Sequence, residues 1–123
     1  MKSLALVFMG GGFGSILRYI LAKYLNSYET GVPYGTLLAN VSGSLLIGIV
    51  LGLALKNNSI SSNAVLLLAT GFCGGFTTFS TFAYENHLFL KNGDLLPFAL
   101  YTIGSVVLGF AMVFFGIWLV KSF

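Results

Sequence analysis

The sequence predicts an all-α integral membrane protein built on four spanning helices, and three observations carry the prediction. The chain has 123 residues, 57% of them hydrophobic and 7% charged, where an ordinary soluble domain is roughly 25% charged. A soluble domain of this size could not hide so much apolar surface, so its solvent is lipid. The apolar residues form four runs, 4–25, 34–55, 64–89 and 95–120. Each is long enough for the ~20 residues that take a helix across a ~30 Å hydrocarbon layer. The runs are continuous rather than alternating, which argues against a membrane β-barrel.

The first run is too long for the apolar core of a signal peptide and lacks an A-x-A cleavage pattern, so it reads as a retained helix. It carries Arg18 within the span and Gly10 and Gly14 four apart. The second run repeats the small-residue spacing in Gly35, Ala39 and Gly43 and again in Gly48 and Gly52, with Asn40, Ser42 and Ser44 among them. The third is less uniform and contains GFCGGFTTFSTF at 71–82. The fourth carries Tyr101, Thr102 and Ser105. The separators NSYETGVP, KNNSISSN and LKNGD are short and rich in turn formers. Lys56 and Lys121 close the second and fourth runs, where cations suit the helix dipole.

Four spans put both termini on one side of the membrane. That side carries Lys2, Lys56 and Lys121; the other carries Lys23 and Lys91, with Arg18 a few residues inside. The positive-inside bias is therefore close to zero. Two readings fit: insertion in both orientations with antiparallel pairing, or one orientation fixed by a small bias. A four-helix bundle has little interior of its own, so the small-residue seams point to close packing with a partner subunit.

Composition also excludes. Six cations are too sparse for a nucleic-acid surface. Cys73 is the sole cysteine, so no intrachain disulfide forms, and it reads as a small packing residue. No nucleophile–base set, zinc-ligand spacing or phosphate loop is present, so an enzyme is not expected. No Asp or Glu lies in the middle of a span; Glu85 and His87 fall near the end of the third. His87 reads as an interfacial side chain, and Glu85 has no role the sequence derives.

The polar residues within the spans are thus neutral donors. Hydroxyl and amide groups solvate anions, freed backbone carbonyls solvate cations, and phenylalanine edges carry partial positive charge. Phe79 and Phe82, three apart, share a helix face, and Thr77 and Thr81, four apart, share another. Gly74-Gly75 followed by Phe-Thr-Thr is a weak helix interior. A break near 74–78 would free carbonyls to face a twin across a two-fold axis. Alternatively the glycines pack against a neighbour and threonine bonds back to its own i−4 carbonyl.

The run GFCGGFTTFSTF resembles the signature of the CrcB/Fluc family of small fluoride channels. GGFGSILRY at 11–19 and GTLLANVSGSLLIG at 35–48 are similar to its first- and second-helix motifs. The resemblance covers essentially the whole chain. It implies an antiparallel dual-topology homodimer in the plasma membrane, a broken third helix, and passive export of F⁻ from the cytoplasm. It implies a structural Na⁺ on the dimer axis, held by the backbone carbonyls of Gly74 and Thr77. Phe79 and Phe82 match the phenylalanine pair lining the fluoride pathways, and Asn40 the pore-facing amide. Tyr101 and Ser105 match the fourth helix's polar track, and Thr78, Ser80 and Thr81 belong to the hydroxyl-rich stretch of the fluoride pathway. Arg18 either snorkels to the interface or draws anions into a vestibule. Two other readings remain: a small dual-topology multidrug-type exporter, which should need a deep carboxylate, and a non-transporting scaffold.

Overall fold

The computed structural model describes residues 1–27, 31–56 and 59–123. The turn expectations for 28–30 and 57–58 lie outside the described residues. The elements are α1 (Lys2–Leu25), α2 (Tyr34–Leu55), α3 (Ser62–Val65), a π-helical stretch (Leu66–Cys73), α4 (Gly74–Phe76), α5 (Phe79–Lys91) and α6 (Leu95–Ser122). Among the described residues no strand is present beyond an isolated bridge between Asn26 and Pro33. Four stretches are long and apolar enough to cross a membrane: α1, α2, Ser62–Lys91 as one span, and α6. The protein is therefore an all-helical, multi-pass membrane protein, as its composition predicts.

The four spans pack as two close pairs, α1 on the first half of the third span and α2 on α6. Glycine dictates both pairings. A methyl on Gly14 would run into the Phe72 carbonyl oxygen, and one on Gly75 into the Gly11 carbonyl. On the other seam, a methyl on Gly48 would sit 2.5 Å from the Val113 carbonyl, and one on Gly116 2.6 Å from that of Leu45. Backbones this close gain van der Waals contact that larger residues would forbid. These seams lie within one chain, which corrects the expectation that they mark a partner subunit. The outer faces are another matter. Phe8, Phe13, Phe110, Phe114 and Trp118 are all exposed on the isolated chain, as suits a surface that meets lipid or another helix.

The helix ends follow local chemistry. The Ser61 hydroxyl accepts the Ala64 N–H at 3.1 Å and starts α3. The LKNGD separator turns as its composition predicts: Gly93 takes φ +76°, and the Asp94 N–H reaches back to the Phe89 carbonyl at 2.8 Å. That left-handed residue ends α5 at low cost because glycine has no Cβ. The Lys56 backbone N–H closes α2 on the Gly52 carbonyl at 3.0 Å, but its side chain serves another helix. Its ammonium donates to the Val120 carbonyl at 2.9 Å, closing the C-terminal end of α6 instead.

Candidate functional site at the interrupted third span

The third span loses its helical path at Thr77 and Thr78. Thr77 has φ −87° and ψ 158°, and Thr78 has φ −152° and ψ 120°, both extended. An interruption inside a span exposes the carbonyls before it and the amides after it, and lipid offers them no partner. The sequence supplies partners one by one. Asn40, from α2, clamps Thr78 on both sides: the Thr78 N–H donates to Oδ1 at 2.7 Å, and Nδ2 donates to the Thr78 carbonyl at 3.1 Å. Arg18, from α1, donates through Nε to the Gly75 carbonyl at 2.9 Å, joined by the Ser15 hydroxyl at 3.4 Å. The Thr78 hydroxyl accepts the Thr81 N–H at 3.2 Å and starts α5 as its N-cap.

Among the carbonyls left out of this scheme are those of Gly74 and Thr77. The Thr78 N–H, which an unbroken helix would give to Gly74, goes to Asn40; the Thr81 N–H, which would go to Thr77, goes to Thr78. Among the described residues, no hydrogen bond reaches either the Gly74 or the Thr77 carbonyl. Space lies beside Gly74, where an added Cβ would meet nothing within 4 Å. The Thr77 hydroxyl itself bonds back to the Cys73 carbonyl at 2.9 Å, and Ser44 does the same to Asn40 at 2.7 Å.

The break opens onto a pocket of about 610 Å³ between α2, the third span and α6. Asn40, Gly74, Thr77, Thr78, Phe79, Phe82 and Ser105 are among the residues that line it. The Phe79 and Phe82 rings lie 6.1 Å apart and tilted by 49°. Phe79 is 80% exposed, so the pocket is open on the outer face of the chain. The Ser105 hydroxyl is buried and has no hydrogen-bond partner among the described residues. Orphaned hydroxyls in apolar surroundings are costly, so this one is a candidate donor.

The structure does not bring every sequence-predicted residue to this pocket. Ser80 and Thr81 lie on α5 outside the lining, and Arg18 is engaged at the Gly75 carbonyl. Thr77 and Thr81 share no helix face, because the interruption falls between them. Tyr101 sits behind Phe82, ring centroids 5.2 Å apart.

Behind Tyr101 lies a cluster the sequence reading missed. Its hydroxyl donates to Glu85 Oε1 at 2.7 Å, and the fully buried Thr36 donates to Oε2 at 2.6 Å. Glu85 is thus held between α2, α5 and α6 and is not a carboxylate at a helix end. The signal was available as spacing. Thr36, Asn40 and Ser44 recur every four residues on α2, as Tyr101, Ser105 and Gly109 do on α6. Extending the Asn40–Ser44 row back by one turn points to Thr36, and Glu85 follows Phe82 by three.

A helical multi-pass membrane protein with an interrupted span, held open over a polar and aromatic pocket by side chains from its neighbours, is the class that this fold and site define. Comparison with known proteins narrows it. The family model described as "CrcB-like protein, Camphor Resistance (CrcB)" matches residues 5–117, and the chain belongs to that family. It is 48% identical over 98% of both chains to a protein of Gloeothece citriformis (strain PCC 7424) named "Fluoride-specific ion channel FluC". It is 46% identical to one of the same name from Leptospira interrogans, over 99% of this chain and 97% of the relative. A third, from Phocaeicola vulgatus, is 47% identical over 97% of this chain and 98% of its own.

Proposed function

We propose that the chain is a passive fluoride channel, not an enzyme, that carries F⁻ out of the cytoplasm across the plasma membrane and so lowers fluoride toxicity. The observation that carries this is the Ser105 hydroxyl, without a hydrogen-bond partner among the described residues, in a pocket lined by Phe79 and Phe82. The relatives' names point to the same ion.

Fluoride holds its water tightly, so a pore must replace each hydrogen bond the ion loses. The Ser105 O–H is free to donate, and Asn40 keeps one N–H beyond the one it gives Thr78. The tilted phenylalanine pair adds positively polarised ring edges. Among the described residues no lysine or arginine lines the pocket, so no opposite full charge there would trap a small anion on its way. Phe79 stands exposed and the pocket opens outward, which supports a second copy completing the path. The near-zero positive-inside bias supports the antiparallel arrangement of that copy.

The donor chemistry at the break fits a structural sodium ion. The Gly74 and Thr77 carbonyls are hard oxygen donors without hydrogen bonds, and a twin would double their number. When bound, the ion would supply fixed positive charge and hold the two breaks together.

A second reading has one observation in its favour: the half-buried Glu85 supplies the interior carboxylate that a multidrug-type exporter would need. Purified protein in liposomes loaded with potassium fluoride separates the two. With valinomycin and no proton gradient, the channel reading predicts rapid fluoride efflux and little chloride efflux. Efflux that requires a proton gradient, or no fluoride efflux at all, would overturn it.

A further inference from the structure

We propose that Asn26, at the end of α1, is a positioning residue that sets the pocket edge at Phe82 by way of Glu85 and Tyr101. The inference deepens the channel reading above and rests on it.

The Asn26 carboxamide joins two elements. Its Oδ1 accepts the Gly35 N–H at 2.7 Å and the Thr36 N–H at 3.2 Å, two of the four free donors at the start of α2. Its Nδ2 faces the other way, toward Thr36 Oγ1 at 3.3 Å and Glu85 Oε2 at 3.5 Å. An amide has one acceptor end and one donor end. The helix N–H groups fix which end they meet, so the NH₂ must turn toward the carboxylate. Asn26 is thereby a remote cap for α2 and an oriented donor for Glu85.

From Glu85 the line runs to the pocket. Oε1 accepts the Tyr101 hydroxyl at 2.7 Å, and the Tyr101 ring lies 5.2 Å from Phe82 at 50°. Phe89 closes the other side of Tyr101, edge-on at 5.9 Å. Each member of the line is held by the one before it. A carboxylate that shifts releases the Tyr101 hydroxyl, and the ring that backs Phe82 moves with it. The groups that face Glu85 are Asn26, Thr36 of α2 and Tyr101 of α6; among the described residues no lysine, arginine or histidine pairs with it.

Asn26→Asp separates capping from positioning. The aspartate is isosteric, keeps an oxygen for Gly35 and Thr36, and places negative charge at a helix N-terminus, where it is favourable. It also replaces the NH₂ with an oxygen facing Glu85. Two carboxylates in contact share a proton when the pH falls, and that proton restores one donor between them. Fluoride efflux from liposomes is compared for wild type and variant at pH 7.5 and pH 5. The variant should be slower by about tenfold at the higher pH, the equivalent of one pKa unit of repulsion, and should approach wild type at the lower. If the variant does not assemble, Asn26→Asp/Glu85→Gln, which puts a donor back between the two oxygens, should. A folded single variant whose efflux relative to wild type is the same at both pH values overturns the proposal, as does failure of both variants to assemble. Absence of fluoride efflux from wild type overturns the channel reading, and this inference with it.

Discussion

Asn40→Ala should damage both stability and transport, because one side chain holds both sides of Thr78. The substitution removes an acceptor at 2.7 Å and a donor at 3.1 Å. It leaves one N–H and one C=O without partners at the depth of a membrane span. An orphaned buried polar group costs about 1–3 kcal/mol, so two give roughly 2–6 kcal/mol. Asn40 and Thr78 are only partly buried, and hydrogen bonds measured in membrane proteins sit low in the range, so the expectation is about 2 kcal/mol. That corresponds to about a thirtyfold loss in the weight of the native break against rearranged ones. Phe79 follows Thr78 directly, so its ring loses its fixed place. Thermal denaturation of the purified protein in detergent reads the first effect, and fluoride efflux from liposomes the second. Asn40→Ala should melt earlier and conduct at least about tenfold more slowly, a smaller factor than the population shift because some copies keep the break. A variant with wild-type melting and wild-type efflux would refute the reasoning.

Other outcomes follow from the same geometry. Gly75→Ala drives a methyl into the Gly11 backbone; it should destabilise the α1 seam by about 1–3 kcal/mol or more. Gly12→Ala, where a Cβ meets nothing within 4 Å, should leave the chain's own fold intact and gain up to about 1 kcal/mol of helix propensity; both are read by denaturation. Phe79→Ile or Phe82→Ile should abolish or sharply slow fluoride efflux while the protein elutes as the wild type does. Replacing sodium with a large organic cation on both sides of the liposome should stop efflux, and unchanged flux would remove the cation from the proposal.

Much of this was legible in the residues because lipid constrains a chain so tightly. Continuous apolar runs fix four spans, and the ends of α1 and α2 fall within two residues of those the sequence predicts. Phe79 and Phe82 meet as their spacing requires. The π-helical stretch at Leu66–Cys73 was not legible, since an apolar run looks the same whether its bonds reach four residues or five. The glycine seams were visible, but spacing cannot say whether the facing backbone belongs to the same chain. Arg18 and Asn40 were found as polar residues inside spans, yet their partners are backbone groups of another helix, and no side-chain pattern encodes these. The sequence assigns Glu85 no role for a similar reason. It lies six residues from the end of α5 by number, but Thr36 and Tyr101 fold over it and draw it into the interior.

The most direct test concerns Ser105. Its hydroxyl bonds to nothing among the described residues, so Ser105→Ala removes no internal contact and relieves a buried polar group. The variant should melt at the wild-type temperature or slightly above it. If the hydroxyl is there to replace fluoride's lost water, a fluoride electrode following efflux from liposomes should record a rate at least about tenfold lower, the equivalent of 1.4 kcal/mol from one donor bond. Wild-type efflux from Ser105→Ala, with the fold intact, would contradict the account.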